Sequence, residues 1–429
     1  MKNPGDVRLS RREGVWLTLA ATFTMTISYI DRQNVAVLAP IITRELQLSE
    51  VQYGVIASAF SLAYLVGAPF AGRYIDRVGA RRGLLYAVVA WTVIAAAHAL
   101  VPGFAALIAM RVLLGLAESP SFPGASQTVH RALSAEDRPR GIGVLFTGSS
   151  LGSMLAPPLA LGVASHFGWR MALLVSSMAG LVWVPLWLLT AYRPRAQAAL
   201  DAPPDEAPSV RVGEGYRDVE IAAPDARPVW QNPALQRALA LIVASSPLIG
   251  FILTWNAKYL VRTFTLSPLA IARYLWIAPL VFDLGAIGFG DLAARRARAP
   301  GNPRGGSDPK LVGLATALAG AAAVGLRSAD SPAIATVWAS LLMLGGGGTY
   351  AMLTSDMLAR VPARAVSAAG GLCASAQALA FVVSNVLIGR GVASSGSFRG
   401  VLVGLALCVV PGALAWHLWP GVPPVRDAA

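Results

Sequence analysis

The stretch Phe104-Ala-Ala-Leu-Ile-Ala-Met-Arg111-Val-Leu-Leu-Gly-Leu-Ala-Glu118-Ser-Pro-Ser-Phe-Pro123 sets an arginine and a glutamate seven residues apart in an apolar run that continues to about Val129. Seven residues are almost two turns of α-helix, so Arg111 and Glu118 share a face and lie ~10 Å apart along the axis. The run is long enough to cross a bilayer. An ionisable group at that depth is costly unless it faces a partner or a wet cavity, so the pair reads as functional by default.

The rest of the chain has the same character. Of its 429 residues 55% are apolar and 13% charged, too little charge to cover a soluble protein of this size. Apolar runs recur near 15–39, 52–73, 83–102, 104–129, 139–163, 170–191, 234–260, 268–291, 309–327, 332–358, 364–389 and 399–420. They predict an all-α integral membrane protein with twelve transmembrane helices in two six-helix bundles. The expected organisation is a cytoplasmic tail over 1–14, an N-terminal bundle over 15–191, a cytoplasmic linker over 192–233, a C-terminal bundle over 234–420 and a tail over 421–429. The linker mixes Arg193, Arg195, Asp201, Asp205, Glu206, Glu214 and Asp218 with prolines, the composition of a solvated connection. The first run carries Asp31-Arg32 near its end and lacks a small-residue cleavage site, so it reads as a span and not a signal peptide.

The net charge of +13 is spread between the apolar runs and forms no basic domain, which argues for membrane orientation and against nucleic acid. Arginines gather after the second, fourth, eighth and tenth runs, and Val101–Gly103 carries no charge. Both termini and the linker are therefore expected in the cytoplasm. Lys258, Arg262 and Arg273 run against that trend. Cys373 and Cys408 both lie in apolar runs and suggest neither a disulfide framework nor a metal cluster. There is no phosphate loop, metal spacing or nucleophilic triad in a fitting context, so neither an enzyme nor an ATP-driven pump is expected.

The two halves echo one another. Gly72-Arg-Tyr-Ile-Asp76-Arg77-Val-Gly79-Ala-Arg81-Arg82 follows the second run, and Gly288-Phe-Gly-Asp291-Leu-Ala-Ala-Arg295-Arg296 follows the eighth. Arg138-Pro-Arg140 likewise matches Pro362-Ala-Arg364. Two repeats with a site between them is the logic of a secondary transporter. Small, acidic and basic residues at a helix end read as a charge cluster that latches the halves on the inner side in one conformation.

Gly72–Arg82 resembles the loop motif of the major facilitator superfamily. The likeness narrows at Tyr29-Ile-Asp31-Arg32-Gln-Asn34, at Arg111–Gly124, at Gly148-Ser-Ser150-Leu-Gly152 with Ala156-Pro157-Pro158, and at Phe167-Gly168-Trp169-Arg170. In the second half it rests on Trp255-Asn256-Ala-Lys258-Tyr-Leu and on Trp276-Ile-Ala-Pro279 with Asp283-Leu-Gly285. Together these resemble the anion:cation symporter branch, whose bacterial members take up hexuronates, galactonate, glucarate and other organic acids with protons. The resemblance implies the major facilitator fold, no cofactor beyond a proton gradient, a monomer in the bacterial inner membrane, and an organic anion as partner. It further implies proton-handling roles for Asp31 and Glu118, a substrate contact at Arg32, a charge-network role for Arg111 and a pocket tyrosine at Tyr64. Ser150 and Ala257 depart from the asparagine and proline common at their positions; both positions read as pocket linings or hinge elements, and Ser150 is taken as a candidate substrate contact.

The spacing adds expectations of its own. Entering from the cytoplasm near Val15, the first span puts Asp31 ~24 Å along its axis; the fourth, entering outside near Phe104, puts Arg111 ~10 Å and Glu118 ~21 Å in. Arg111 is thus expected to balance Asp31, with Glu118 deeper. Asp31 and Arg32 diverge by about 100° on a helix, so one must address a neighbouring helix and the other the cavity. Burial favours the neutral acid and a guanidinium favours the carboxylate, a balance suited to a group that takes up and releases a proton. Gln377, Ser384, Asn385 and Asn256 are candidate hydroxyl contacts. Lys258 reads as a snorkelling lysine or a second anion contact. Asp283 is a buried acid without a visible partner, and Gly345–Gly348 permit bending or close packing. His98 and His130 carry no assigned role. The leading reading is proton-coupled uptake of an organic anion, foremost a sugar acid such as a hexuronate, aldonate or aldarate. Its rivals are uptake of an aromatic or dicarboxylic acid, proton-antiporting export, and a ligand-binding receptor of transporter form.

Overall fold

The computed structural model of the chain describes residues 9–134, 137–201, 229–297, 308–358, 360–361 and 366–419. Residues 1–8 of the N-terminal tail, linker residues 202–228, Arg298, Arg304, Arg364 and the tail over 421–429 lie outside these. Within them the regular elements are helices.

The N-terminal half contains α1 (Arg11–Val37), α2 (Ala39–Glu45), α3 (Glu50–Val78), α4 (Ala80–Ala97), α5 (Phe104–Glu118), α6 (Ser121–Ala132), α7 (Arg138–Ala191) and α8 (Pro194–Asp201). The C-terminal half contains α9 (Pro233–Thr254), α10 (Asn256–Phe264), α11 (Pro268–Leu275), α12 (Ile277–Ala297), α13 (Pro309–Arg327), α14 (Pro332–Leu358), α15 (Val366–Ser395) and α16 (Arg399–Leu418).

Among the described residues nine helical stretches are long and apolar enough to cross a membrane. One of these, Arg140–Ala191, is two helices that meet at Gly168, where φ is 81° and the chain reverses; a side chain there would be strained. α1 and α14 have 27 residues each and the length to cross as well. Polar residues dilute their apolar character. In α1, Thr18, Thr22, Thr24 and Thr26 each donate a hydroxyl to the carbonyl four residues earlier, so these hydroxyls enter the membrane already satisfied. With Arg140–Ala191 counted as two and α1 and α14 added, twelve helices among the described residues have the length to cross, the number expected from the sequence.

Three of the expected spans are broken. The fourth stops at Glu118 and resumes at Ser121, because Pro120 has no amide hydrogen and its ring crowds the preceding turn. The seventh breaks at Trp255, between α9 and α10, and the eighth at Trp276, between α11 and α12.

Glycines set the closest helix contacts, as dispersion-driven packing in lipid requires. Gly345, Gly347 and Gly348 of α14 abut the carbonyls of Ala315 and Phe282 and the ring of Phe289 respectively, so the glycine run serves close packing.

The halves meet at one end. Tyr53 donates to the Thr254 carbonyl at 2.6 Å and Ser58 to the Val382 carbonyl at 2.7 Å. A Cβ on Gly389 of α15 would stand 2.5 Å from the Glu50 carbonyl of α3. At the opposite ends of these two helices, Gly72, Gly370 and Gly371 have no atom of the described residues within 4 Å of where a Cβ would sit. The molecule is therefore shut at the Glu50 end and parted at the Gly72 end.

Candidate functional site

α1, α3 and α5 bring the expected charges together beneath the shut end. Arg32 donates Nε to Glu118 Oε2 at 2.7 Å, and Ser28, one turn earlier on α1, donates to the same oxygen at 2.9 Å. Glu118 is fully buried, whereas 17% of the Arg32 side chain remains accessible. Aromatic rings wall the guanidinium: its carbon lies 4.4 Å from the Tyr64 ring centre, 4.9 Å from Tyr29 and 5.3 Å from Phe60. Such faces hold a cation without neutralising it. Tyr64, for which the resemblance implied a pocket role, is the nearest of these rings to Arg32.

Asp31 turns the other way, as the helical angle between neighbours demands. It faces α4 and lines a cavity of about 10 Å³ with Asn34, Ala95 and His98, room for roughly one water. Among the described residues both its oxygens lack a hydrogen-bond partner, as do Asn34 Oδ1 and His98 Nε2. Arg111 is buried with its guanidinium carbon 4.5 Å from the Phe60 ring centre, and its Nε and Nη1 also lack partners.

Asp31 and Arg111 interact through their charges, as expected, but make no direct ion pair among the described residues. Among the described residues the ion pair of this cluster is Arg32–Glu118. Asp31 is turned towards α4 and His98, away from the α1 face on which Arg32 meets Glu118. Phe60 and Ser28 were missed, and His98 and Asn34 were named without a role, because single residues in apolar runs carry no signal of what they face.

The other candidates divide. Ser150 on α7 is half-buried and near enough to Asp283 of α12 to interact with it, which supplies the partner that the sequence hid. Gln377 is half-buried on α15. Asn385 accepts from Trp255 Nε1 at 2.9 Å, and its carbonyl abuts Gly54, so it belongs to the shut contact between halves. Ser384 donates to its own helix at Phe381. Asn256 is buried at the same end with Oδ1 unpartnered. Lys258 does not snorkel: it is buried, 2.7 Å from Glu50.

The charge cluster at the parted end bridges no halves among the described residues. Arg81 pairs with Asp201 of α8 and stacks on Tyr192. Asp76 accepts from Gln127 at 3.2 Å, and Asp291 pairs with Arg295 one turn on at 2.7 Å. Arg77 and Arg82 are exposed. Gly79 carries a φ of 83° and turns the chain from α3 into α4. Gly72 makes no close helix approach, because α3 and α15 have parted there.

Comparison with known proteins agrees with this architecture. The sequence pattern of the Major Facilitator Superfamily matches residues 21–385. A hexuronate transporter of Escherichia coli (strain K12) is 28% identical over 430 residues, covering 96% of both chains. A D-galactonate transporter of Escherichia coli O6:H1 is 25% identical and covers 95% of both. A probable galactarate/D-glucarate transporter of Bacillus subtilis is 25% identical over 95% of this chain and 92% of its own. These relatives are of the kinds that the anion:cation symporter resemblance names. Among solved structures, a bacterial homologue of the human lysosomal transporter Spinster, in an inward-facing and occupied conformation, superposes with a TM-score of 0.77 at 17% identity, over 96% of this chain and 97% of its own. That likeness speaks for the fold alone.

Proposed function

This chain belongs to the Major Facilitator Superfamily and is a multi-pass membrane transporter, not an enzyme; from that premise we propose that it imports a sugar acid together with protons, by alternating access, across a bacterial inner membrane. The observation that carries the reading is the buried set of Arg32, Glu118, Asp31 and Arg111, in which one pair is joined and the remaining hydrogen-bonding capacity is left open. A purely structural staple would satisfy its charges, since unpaired buried ones are costly. Here the open capacity is what a proton and a carboxylate need.

In the proposed cycle a proton neutralises Glu118 or Asp31. The charge of Arg32 or Arg111 is thereby released from its acid and satisfied by the incoming carboxylate, whose two oxygens suit a guanidinium fork. Tyr29, Phe60 and Tyr64 hold Arg32 in place meanwhile. Ser150 and Asp283, with Gln377 from α15, offer polar partners to the hydroxyls of a sugar acid. The names of the relatives support that cargo. Loop charge orients the Gly72 end to the cytoplasm, with both termini, so the arrangement shut at Glu50 is the inward-facing one. The working unit is a monomer driven by the proton gradient.

Purified protein in proteoliposomes tests this directly. Acid outside should accelerate uptake of hexuronates, aldonates or aldarates. Stimulation by acid inside instead would make it an antiporter, and uptake of none of these acids would overturn the sugar-acid reading.

A further inference from the structure

The contact that shuts the Glu50 end is unbalanced in charge. Glu50 sits on α3 of the N-terminal half, and two cations reach it from α10 of the other half: Lys258 Nζ at 2.7 Å and Arg262 Nη1 at 3.2 Å. Lys258 also donates to Thr43 at 3.1 Å and lies 5.0 Å from the Tyr53 ring centre, while Arg262 donates to the Gly396 carbonyl at 2.9 Å. Among the described residues both ion pairs of these cations end on the one carboxylate. The other acid of the N-terminal half in this region, Glu45, is held by Arg170 and by Trp169 Nε1.

We propose that Lys258 and Arg262 form an outer capture site for the incoming carboxylate, unmasked when the Glu50 end opens; the inference rests on reading the chain as an organic-anion importer. Alternating access must part this end at some point of the cycle. Glu50 then leaves with α3, while both cations stay on α10. Opening lets water reach two adjacent cations that have lost their shared counter-charge, and such a pair attracts anions from solution. A carboxylate from solution is the chemical equivalent of the one withdrawn. Closure brings Glu50 back to the same donors, so the cargo is displaced from its first site as the outer end seals. Glu50 thus acts as an internal competitor that favours inward passage. The mismatch of two cations to one acid gives the site a residual positive field even when shut, which draws anions towards it.

A latch without capture makes a different prediction, because removing either side of an ion pair would loosen it equally. The test compares Glu50→Gln with Lys258→Gln in proteoliposomes, reading KM for glucuronate or galacturonate presented at the outer face and at the inner face. Loss of a charged donor from the capture site should raise the outer KM of Lys258→Gln about tenfold. Glu50→Gln, which keeps both cations and removes their competitor, should leave the outer KM equal or lower. The inner KM should be unmoved in both. Matched changes in outer KM in either direction, or no change in Lys258→Gln, overturn the capture site. Should Lys258→Gln fail to fold, Arg262→Gln at the half-exposed position replaces it, and an unaltered outer KM there overturns the proposal equally. Absence of uptake by the unsubstituted protein would instead overturn the importer reading on which the inference rests.

Discussion

Arg32 and Glu118 are joined by a 2.7 Å bond from Nε to Oε2, yet Nη2 of the arginine and Oε1 of the glutamate have no hydrogen-bond partner. The pair is therefore half-engaged on both sides. Glu118→Gln retains an acceptor for Arg32 but cannot gain or lose a proton. The variant should fold, should still exchange labelled for unlabelled substrate, and should lose accumulation driven by a pH gradient. Accumulation with unaltered pH dependence would remove Glu118 from proton coupling. Glu118→Ala strands a buried guanidinium and should cost about 3 kcal/mol of stability, visible as a lowered melting temperature in detergent.

Asp283 faces Ser150 across the seam between halves, and both are half-buried. If the aspartate takes hydroxyls of the cargo, Asp283→Asn should weaken apparent affinity for a hexuronate by about tenfold. A carboxylic acid of similar size without hydroxyls should compete as well as before. Competition measured in the same uptake assay checks this, and equal losses for both acids would assign Asp283 to general charge balance.

How much of this was legible depends on the range of the signal. The membrane class and the set of Asp31, Arg32, Arg111 and Glu118 could be read because local patterns carry them, whereas Tyr64 came from the family resemblance alone. Glu50 could not. It follows Ser49, which with Gln52 forms a capping box for α3, and so reads as an ordinary acidic first turn. Its partner Arg262 lies 212 residues away. The break at Trp255 has no proline or glycine at it, while that at Trp276 follows from Pro279, which cannot donate to the Leu275 carbonyl. The Arg32–Glu118 pairing was missed for another reason: helix rise fixes the depth of each Cα, but side-chain direction decides which charges meet.

Outside the membrane spans, the bond from Arg170 holds the Glu45 carboxyl below the usual glutamate range, with help from Trp169. A carboxyl whose folded value is depressed stabilises the protein fully above the unfolded value and loses that contribution as pH falls through the folded one. Melting temperature should therefore decline below about pH 4.5, and Glu45→Gln should flatten that decline. Because Glu45 is half-exposed, solvent screening keeps the effect small. An identical acid slope in both proteins would show that other groups set it.

The four glycines of α14 are not equivalent. A methyl on Gly347 meets the backbone carbonyl of Phe282, which no rotamer change can move, whereas one on Gly346 stands 3.1 Å from the Ile249 side chain, which can turn aside. Gly347→Ala should therefore force α12 away from α14 and cost about 2 kcal/mol, in the range of overpacking, while Gly346→Ala should be tolerated. Displacing Phe282 also moves its neighbour Asp283 against Ser150, so Gly347→Ala should raise KM for a sugar acid as well as lower the melting temperature. Thermal unfolding and uptake of the two variants decide the point, and equal stability would mean that α12 is not held by this contact.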